Sequence, residues 1–210
     1  MKKIVLLGDS IRKGYDKYVK MAFKDVAEVY YPTENCRFAA YTLRFLPEWK
    51  KAFGCGDDVD CVHWNVGLWD SLVLFDEHLT PLEIYKYYIE RVCNQIQRLF
   101  PKAKVIFATS TPVIERLFKE NKRYNKDIEL YNAAAIAIAK EHGFEINDLY
   151  AVANKAPEEY HSDLTHYYTK EGTRLLADRV IEHLEKQLDI KATPLDYDQL
   201  FSNTTDIIGI

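Results

Sequence analysis

Lys3-Ile4-Val5-Leu6-Leu7-Gly8-Asp9-Ser10 opens the chain with a short apolar run that stops at Gly-Asp-Ser. A run of this length ending in turn residues predicts a buried strand feeding a tight turn. Ser10 stands at the end of that turn, and Gly14 loosens the start of the helix expected after it. Working outward, Val26 to Tyr31 is a second β-branched and aromatic run, and Pro32 to Asn35 make a loop. Arg37 to Phe53 has helical spacing through Tyr41, Leu43, Phe45, Leu46 and Trp49. Val59 to Trp64 predicts a third strand, Lys104 to Ala108 a fourth and Phe144 to Ile146 a fifth.

Helices are expected between them. Thr80-Pro81-Leu82-Glu83 reads as a capping box, with Thr80 as cap and Pro81 in the first helical position, and the helix runs to about Phe100. Asp127 to His142 is an Ala-rich helix stopped by Gly143, and Thr169 to Leu188 is a closing helix. Strands alternating with helices predict an α/β fold with a mainly parallel five-stranded sheet and helices on both faces. Reactive groups in such folds gather at the carboxyl ends of the strands. Gly8-Asp9-Ser10, Asn65 to Asp70 and Thr109-Ser110 all fall there.

The 210 residues contain no Gly/Ser-rich or Pro-rich linker and no repeat, so one domain over 1–210 is expected. Residues 192–210 depart from helical patterning and are read as an arm packing on the body or on another subunit, a possible route to a homo-oligomer. A formal net charge of −4 argues against a nucleic-acid partner. The basic run Lys119 to Lys126 is interrupted by Glu120, Asn121, Tyr124 and Asn125 and reads as a solvated face. Ile4 to Leu7 is too short for the roughly 7–15 apolar residues of a signal peptide. No run of about 18 apolar residues predicts a membrane span. A cytoplasmic protein is expected. Cys36, Cys55, Cys61 and Cys93 form no C-x-x-C pair and no zinc set, so free thiols and no metal are expected.

A serine hydroxyl needs a neighbouring base to become a nucleophile, and that base is usually a His held by an anion. Ser10 fits the nucleophile, though a strand-Gly-Asp-Ser turn also makes a good helix cap. Asp163-Leu164-Thr165-His166 puts an acid three residues before a base, within reach of the imidazole Nδ1 in a single turn; a plain surface loop is the alternative. His161 lacks such an acid.

Taken together, Gly8-Asp9-Ser10, Gly67-Leu68-Trp69-Asp70 and Asp163-Leu164-Thr165-His166 resemble the SGNH (GDSL-like) hydrolases in order, spacing and context, over about residues 3 to 185. The resemblance implies a flavodoxin-like three-layer sandwich and a triad of Ser10, His166 and Asp163. It departs at the oxyanion hole, where the family's third block reads Gly-x-Asn-Asp and Trp69 stands in place of the Asn. Asn65 is the expected substitute, with the N–H groups of Ser10 and Cys36 as the other donors; Asn35 is an alternative through its side chain. Asp9, Asn35, Trp69 and Tyr15 are candidates for lining the pocket, with Tyr18 beside them. Core packing is the alternative for the aromatic residues, and loop organisation for Asp9, as for Asp70. Thr111 to Asn125 is longer than a usual connection and is expected to cover one edge of the cleft. The family implies a serine esterase acting on a small acyl ester, such as an acetyl group on a carbohydrate, without a cofactor. The rivals are an acyltransferase with the same triad and a catalytically idle carbohydrate-binding α/β module.

Overall fold

The computed structural model describes residues 1–202. Strand β1 (Lys2–Leu7) pairs in parallel with β2 (Ala27–Tyr30) on one side and β3 (Cys61–Trp64) on the other. Outward from β3 lie β6 (Lys104–Ala108) and β7 (Glu145–Asn147), also parallel, while β4 (Val73–Leu74) and β5 (Glu77–His78) form a separate hairpin. The sheet order is β2-β1-β3-β6-β7, the doubly wound arrangement in which the chain turns in opposite directions after β1 and β3.

The pleat sends alternate residues of each strand to opposite faces. Ile4 and Leu6 enter the core beneath α1 (Ser10–Ala22), the short α5 (Leu149–Ala153) and α6 (Lys170–Leu188). Val5 and Leu7 enter the core beneath α2 (Ala39–Phe53), α3 (Leu82–Leu99) and α4 (Asn125–Glu141). Three layers result. All four of these β1 side chains are fully buried, each worth roughly 1.5–3 kcal/mol of transfer free energy.

Two local expectations are corrected. Thr80 does not cap α3: Pro81 occupies the cap position and no side chain caps there. The Thr80 hydroxyl is engaged with Asp70, and its N–H donates to the Asp70 carbonyl at 3.1 Å. The hairpin β4–β5 escapes sequence reading because its strands are two residues long. Its turn is made by Phe75 and Asp76 at positive φ, without the Asn-Gly or Asp-Gly pair that marks such turns.

The described part of the C-terminal arm packs on its own body. The Thr193 N–H donates to the Ala22 carbonyl at 2.8 Å, and helix α7 (Tyr197–Ser202) brings Phe201 onto the Tyr18 ring at 5.7 Å. Tyr18 is therefore buried under the arm and is no part of a cleft. Residues 203–210 of the expected arm lie outside the described residues. All four cysteines are free and buried. Among the described residues no helix is long and apolar enough to cross a membrane.

Candidate active site

Ser10 is the first residue of α1, capped by Asp9, whose Oδ1 accepts the Ile11 N–H at 2.9 Å. The turn is tight because the end of β1 almost touches the loop after β3. A Cβ on Gly8 would lie 2.0 Å from Asn65 Oδ1, so only glycine fits there. Asn65 Nδ2 donates to Asp9 Oδ1 at 3.1 Å and ties the two strand ends together. Burial pushes the Asp9 carboxyl up from its ordinary value, against the hydrogen bonds from Asn65 and Ile11 and the charges of His166 and Arg123.

The structure brings Ser10, His166 and Asp163 together. Ser10 Oγ is 2.8 Å from His166 Nε2, across 156 residues of sequence, and His166 Nδ1 is 2.7 Å from Asp163 Oδ2. The second oxygen of Asp163 accepts the N–H groups of Thr165 at 2.7 Å and His166 at 2.8 Å. One carboxylate thus closes the turn and fixes the imidazole. Burial raises the Asp163 pKa, but the hydrogen bonds from His166 and from these two N–H groups outweigh it and hold the carboxyl below its ordinary range. A carboxylate so held remains charged and favours the imidazole tautomer with its proton on Nδ1, leaving Nε2 free to accept from a hydroxyl. His161 stands apart, its ring tilted against Tyr167 with centroids 4.0 Å apart.

Tyr168 was not singled out from the sequence. Its ring stacks on His166 at 4.7 Å, and its hydroxyl donates to the Ser10 carbonyl at 2.6 Å. Gly14 makes room for it: a Cβ there would lie 2.7 Å from the Tyr168 ring. Arg12 was also missed. It is fully buried, paired with Asp16, and donates to the carbonyls of Pro32 at 2.8 Å and Glu34 at 2.6 Å. It therefore straps the loop after β2 to the helix that carries Ser10. An arginine on an apolar helix face gives no warning of such a role.

The expected oxyanion donors are not all free. The Cys36 N–H donates to the Gly8 carbonyl at 3.1 Å, and its Sγ accepts the Gly8 N–H at 3.3 Å. Cys36 is a structural clip, and burial pushes its thiol up to about 11, which keeps it from acting as a nucleophile. The Asn65 amide gives one of its two Nδ2 hydrogens to Asp9, and the other is not taken up by this bond. Asn35 Oδ1 accepts the Arg37 N–H at 2.7 Å, a bond that orients the side chain without engaging its Nδ2 donors. The Ala39 N–H goes to Asp70 and is unavailable as well. The pocket assignments change accordingly. Asp9 and Tyr15 are fully buried, Tyr15 edge-on to His63 at 6.1 Å, and Trp69 is the one aromatic candidate left partly exposed.

Thr111 to Asn125 does border this region. The Ile114 N–H donates to the Leu164 carbonyl beside His166 at 2.9 Å, Val73 bridges to Lys122, and Arg123 Nε donates to the Leu68 carbonyl at 2.8 Å. Among the described residues no cluster of His, Cys, Asp and Glu is arranged to hold a metal ion.

Comparison with known proteins follows the same lines. Residues 6–175 match the model of the GDSL-like Lipase/Acylhydrolase family. No curated protein matches the chain in sequence. A lipase/acylhydrolase from Enterococcus faecalis superposes with a TM-score of 0.70 at 19% identity, covering 93% of this chain and 100% of that one. A catalytic mutant of Axe2, an acetylxylan esterase from Geobacillus stearothermophilus, gives 0.68 at 18% identity, with 86% and 93% covered. The acetyl xylan esterase AlAXEase gives 0.66 at 18% identity, with 87% and 99% covered.

Proposed function

Since the chain belongs to the GDSL-like Lipase/Acylhydrolase family and is a hydrolase of ester bonds, we propose that it removes a small acyl group through Ser10, with His166 as general base and Asp163 as its anchor. The observation that carries this reading is the unbroken hydrogen-bond sequence from Ser10 Oγ through the imidazole to Asp163, 2.8 Å and 2.7 Å. An idle binding module has no need of that alignment.

Ser10 Oγ attacks the ester carbonyl as its proton passes to His166 Nε2. The imidazolium formed is stabilised by Asp163 and returns the proton to the departing alkoxide, leaving an acyl-Ser10 that water hydrolyses by the same relay. The Ser10 N–H, at the start of α1, is one oxyanion donor, and the second Nδ2 hydrogen of Asn65, held beside Ser10 through Asp9, is the other. A helix N-terminus adds a favourable partial charge there. Acetyl is the acyl group and a carbohydrate the alcohol in this reading, supported by the likeness in fold to two acetylxylan esterases. Four buried thiols fit a reducing, cytoplasmic setting.

The test is hydrolysis of p-nitrophenyl acetate, p-nitrophenyl butyrate and acetylated xylooligosaccharides by the wild type and by Ser10→Ala. Loss of a nucleophile of this kind costs about 10⁴–10⁶-fold in kcat. Equal rates from the two proteins would sink the assignment. Faster consumption of ester when a sugar acceptor is added, with transfer product formed, would mark a transferase instead.

A further inference from the structure

Arg123 belongs to the basic run that the sequence suggests is solvated, and it does not behave like its neighbours. Lys119, Lys122 and Lys126 are exposed, whereas Arg123 is partly buried. Its Nε donates to the Leu68 carbonyl at 2.8 Å, and its guanidinium lies 5.9 Å from the centre of the Phe118 ring. That leaves Nη1 and Nη2 with no hydrogen-bond partner among the described residues, and no carboxylate stands within ion-pair distance. Arg12 shows what a purely structural arginine looks like in this fold. It is closed off by Asp16 and by the carbonyls of Gly8, Pro32 and Glu34.

Location gives the loose end its meaning. Leu68 lies in the loop after β3, whose Asn65 holds Asp9, and Asp9 caps the helix that Ser10 begins. Asp9 feels the charges of both His166 and Arg123. The cation therefore shares the electrostatic neighbourhood of the nucleophile. Burial disfavours the charged guanidinium, against the attraction of Asp9. A partly dehydrated cation of this kind gains most from an anion that arrives with a ligand. Two parallel N–H donors match the two oxygens of a carboxylate or phosphate.

Building on the esterase reading of Ser10, we propose that Arg123 is a specificity-determining residue of the same site and that the natural ester carries a carboxylate or phosphate group, gripped by Nη1 and Nη2. An acetylated acidic or phosphorylated sugar has this chemistry.

The experiment compares kcat/KM for 4-acetoxybenzoate with that for its neutral methyl ester, in the wild type, Arg123→Gln and Arg123→Lys. A second pair, mono-4-nitrophenyl succinate against 4-nitrophenyl butyrate, puts the charge on the acyl half. In one pair the wild type prefers the charged ester. Arg123→Gln lowers that preference by about tenfold or more, as loss of a charge-assisted hydrogen bond does, and Arg123→Lys retains part of it. Inhibition by benzoate and by phenyl phosphate separates the two anions. A preference unchanged in Arg123→Gln overturns the proposal, including the case in which charged and neutral esters slow alike because the cation serves the reaction itself. If the wild type hydrolyses none of these esters, the esterase reading fails on its own. Calorimetric binding of 4-acetoxybenzoate to Ser10→Ala and to Ser10→Ala/Arg123→Gln then decides this inference. At least tenfold weaker binding in the double variant supports it, and equal binding sinks it.

Discussion

Gly14 and Tyr168 set the finest scale of the site, and they separate local propensity from function. Gly→Ala in an unencumbered helix raises stability by up to about 1 kcal/mol. Here the added methyl would meet the Tyr168 ring at 2.7 Å, so Gly14→Ala is expected to lower kcat and to bring no gain in melting temperature. Tyr168→Phe removes the bond to the Ser10 carbonyl but keeps the ring on His166. It is expected to cost about 1 kcal/mol of stability and a few-fold in kcat, while Tyr168→Ala costs kcat considerably more. Asp163→Asn reverses the tautomer preference of His166, and a drop of about 10⁴-fold in kcat is expected, measured beside a circular-dichroism check of folding. Ser10, His166 and Asp163, which the fold brings into one hydrogen-bonded line, were legible in the sequence because Asp-x-x-His and Gly-Asp-Ser are local patterns. Tyr168 and Arg12 were not, since their roles exist only once α1, α6 and the loop after β2 meet.

Among the elements, the loops after β1, β2 and β3 act as one framework, and Asp70 is its keystone. Its carboxylate accepts the Ala39 N–H at 3.2 and 3.1 Å and is engaged by Thr80, so it joins the start of α2 to the start of α3. Spacing alone assigned Thr80 to capping, and the tertiary partner won. The five sheet strands were legible from their apolar runs, because both faces of the sheet are covered. The engagement of the Cys36 N–H was not, because whether an N–H is free depends on which carbonyl stands opposite, as Gly8 does for Cys36. Arg12→Met should cost about 3–5 kcal/mol in chemical denaturation, since it leaves buried Asp16 and two carbonyls without their donor. A cost below about 1 kcal/mol would show that the strap is dispensable.

For the molecule as a whole, two buried groups pull the pH dependence of stability in opposite directions. Burial pushes the Asp70 carboxyl up to about 7, against the hydrogen bonds from Thr80 and Ala39. The folded state therefore binds a proton more tightly than the unfolded chain, and this contribution is lost as pH rises from about 4 to 7. Burial pulls His63 down to about 3, so its contribution is present above about 6.5 and lost as pH falls toward 3. Each slope is at most about 1.4 kcal/mol per pH unit. Where the two windows overlap, between about pH 4 and 6.5, they offset. Denaturation across that range should give stability rising with pH in Asp70→Asn and falling with pH in His63→Leu, both relative to the wild type. Parallel curves for all three proteins would refute the assignment.

The placement of Asp163 and His166 on one turn has a kinetic corollary. Acid and base travel as a single cartridge, so the relay has one seam, the 2.8 Å gap to Ser10 where α6 docks beside α1. Loosening of that docking uncouples the nucleophile while the cartridge stays assembled. On warming, turnover should fail before the sheet melts, with the imidazole–carboxylate proton still visible by NMR in a protein that has already stopped working.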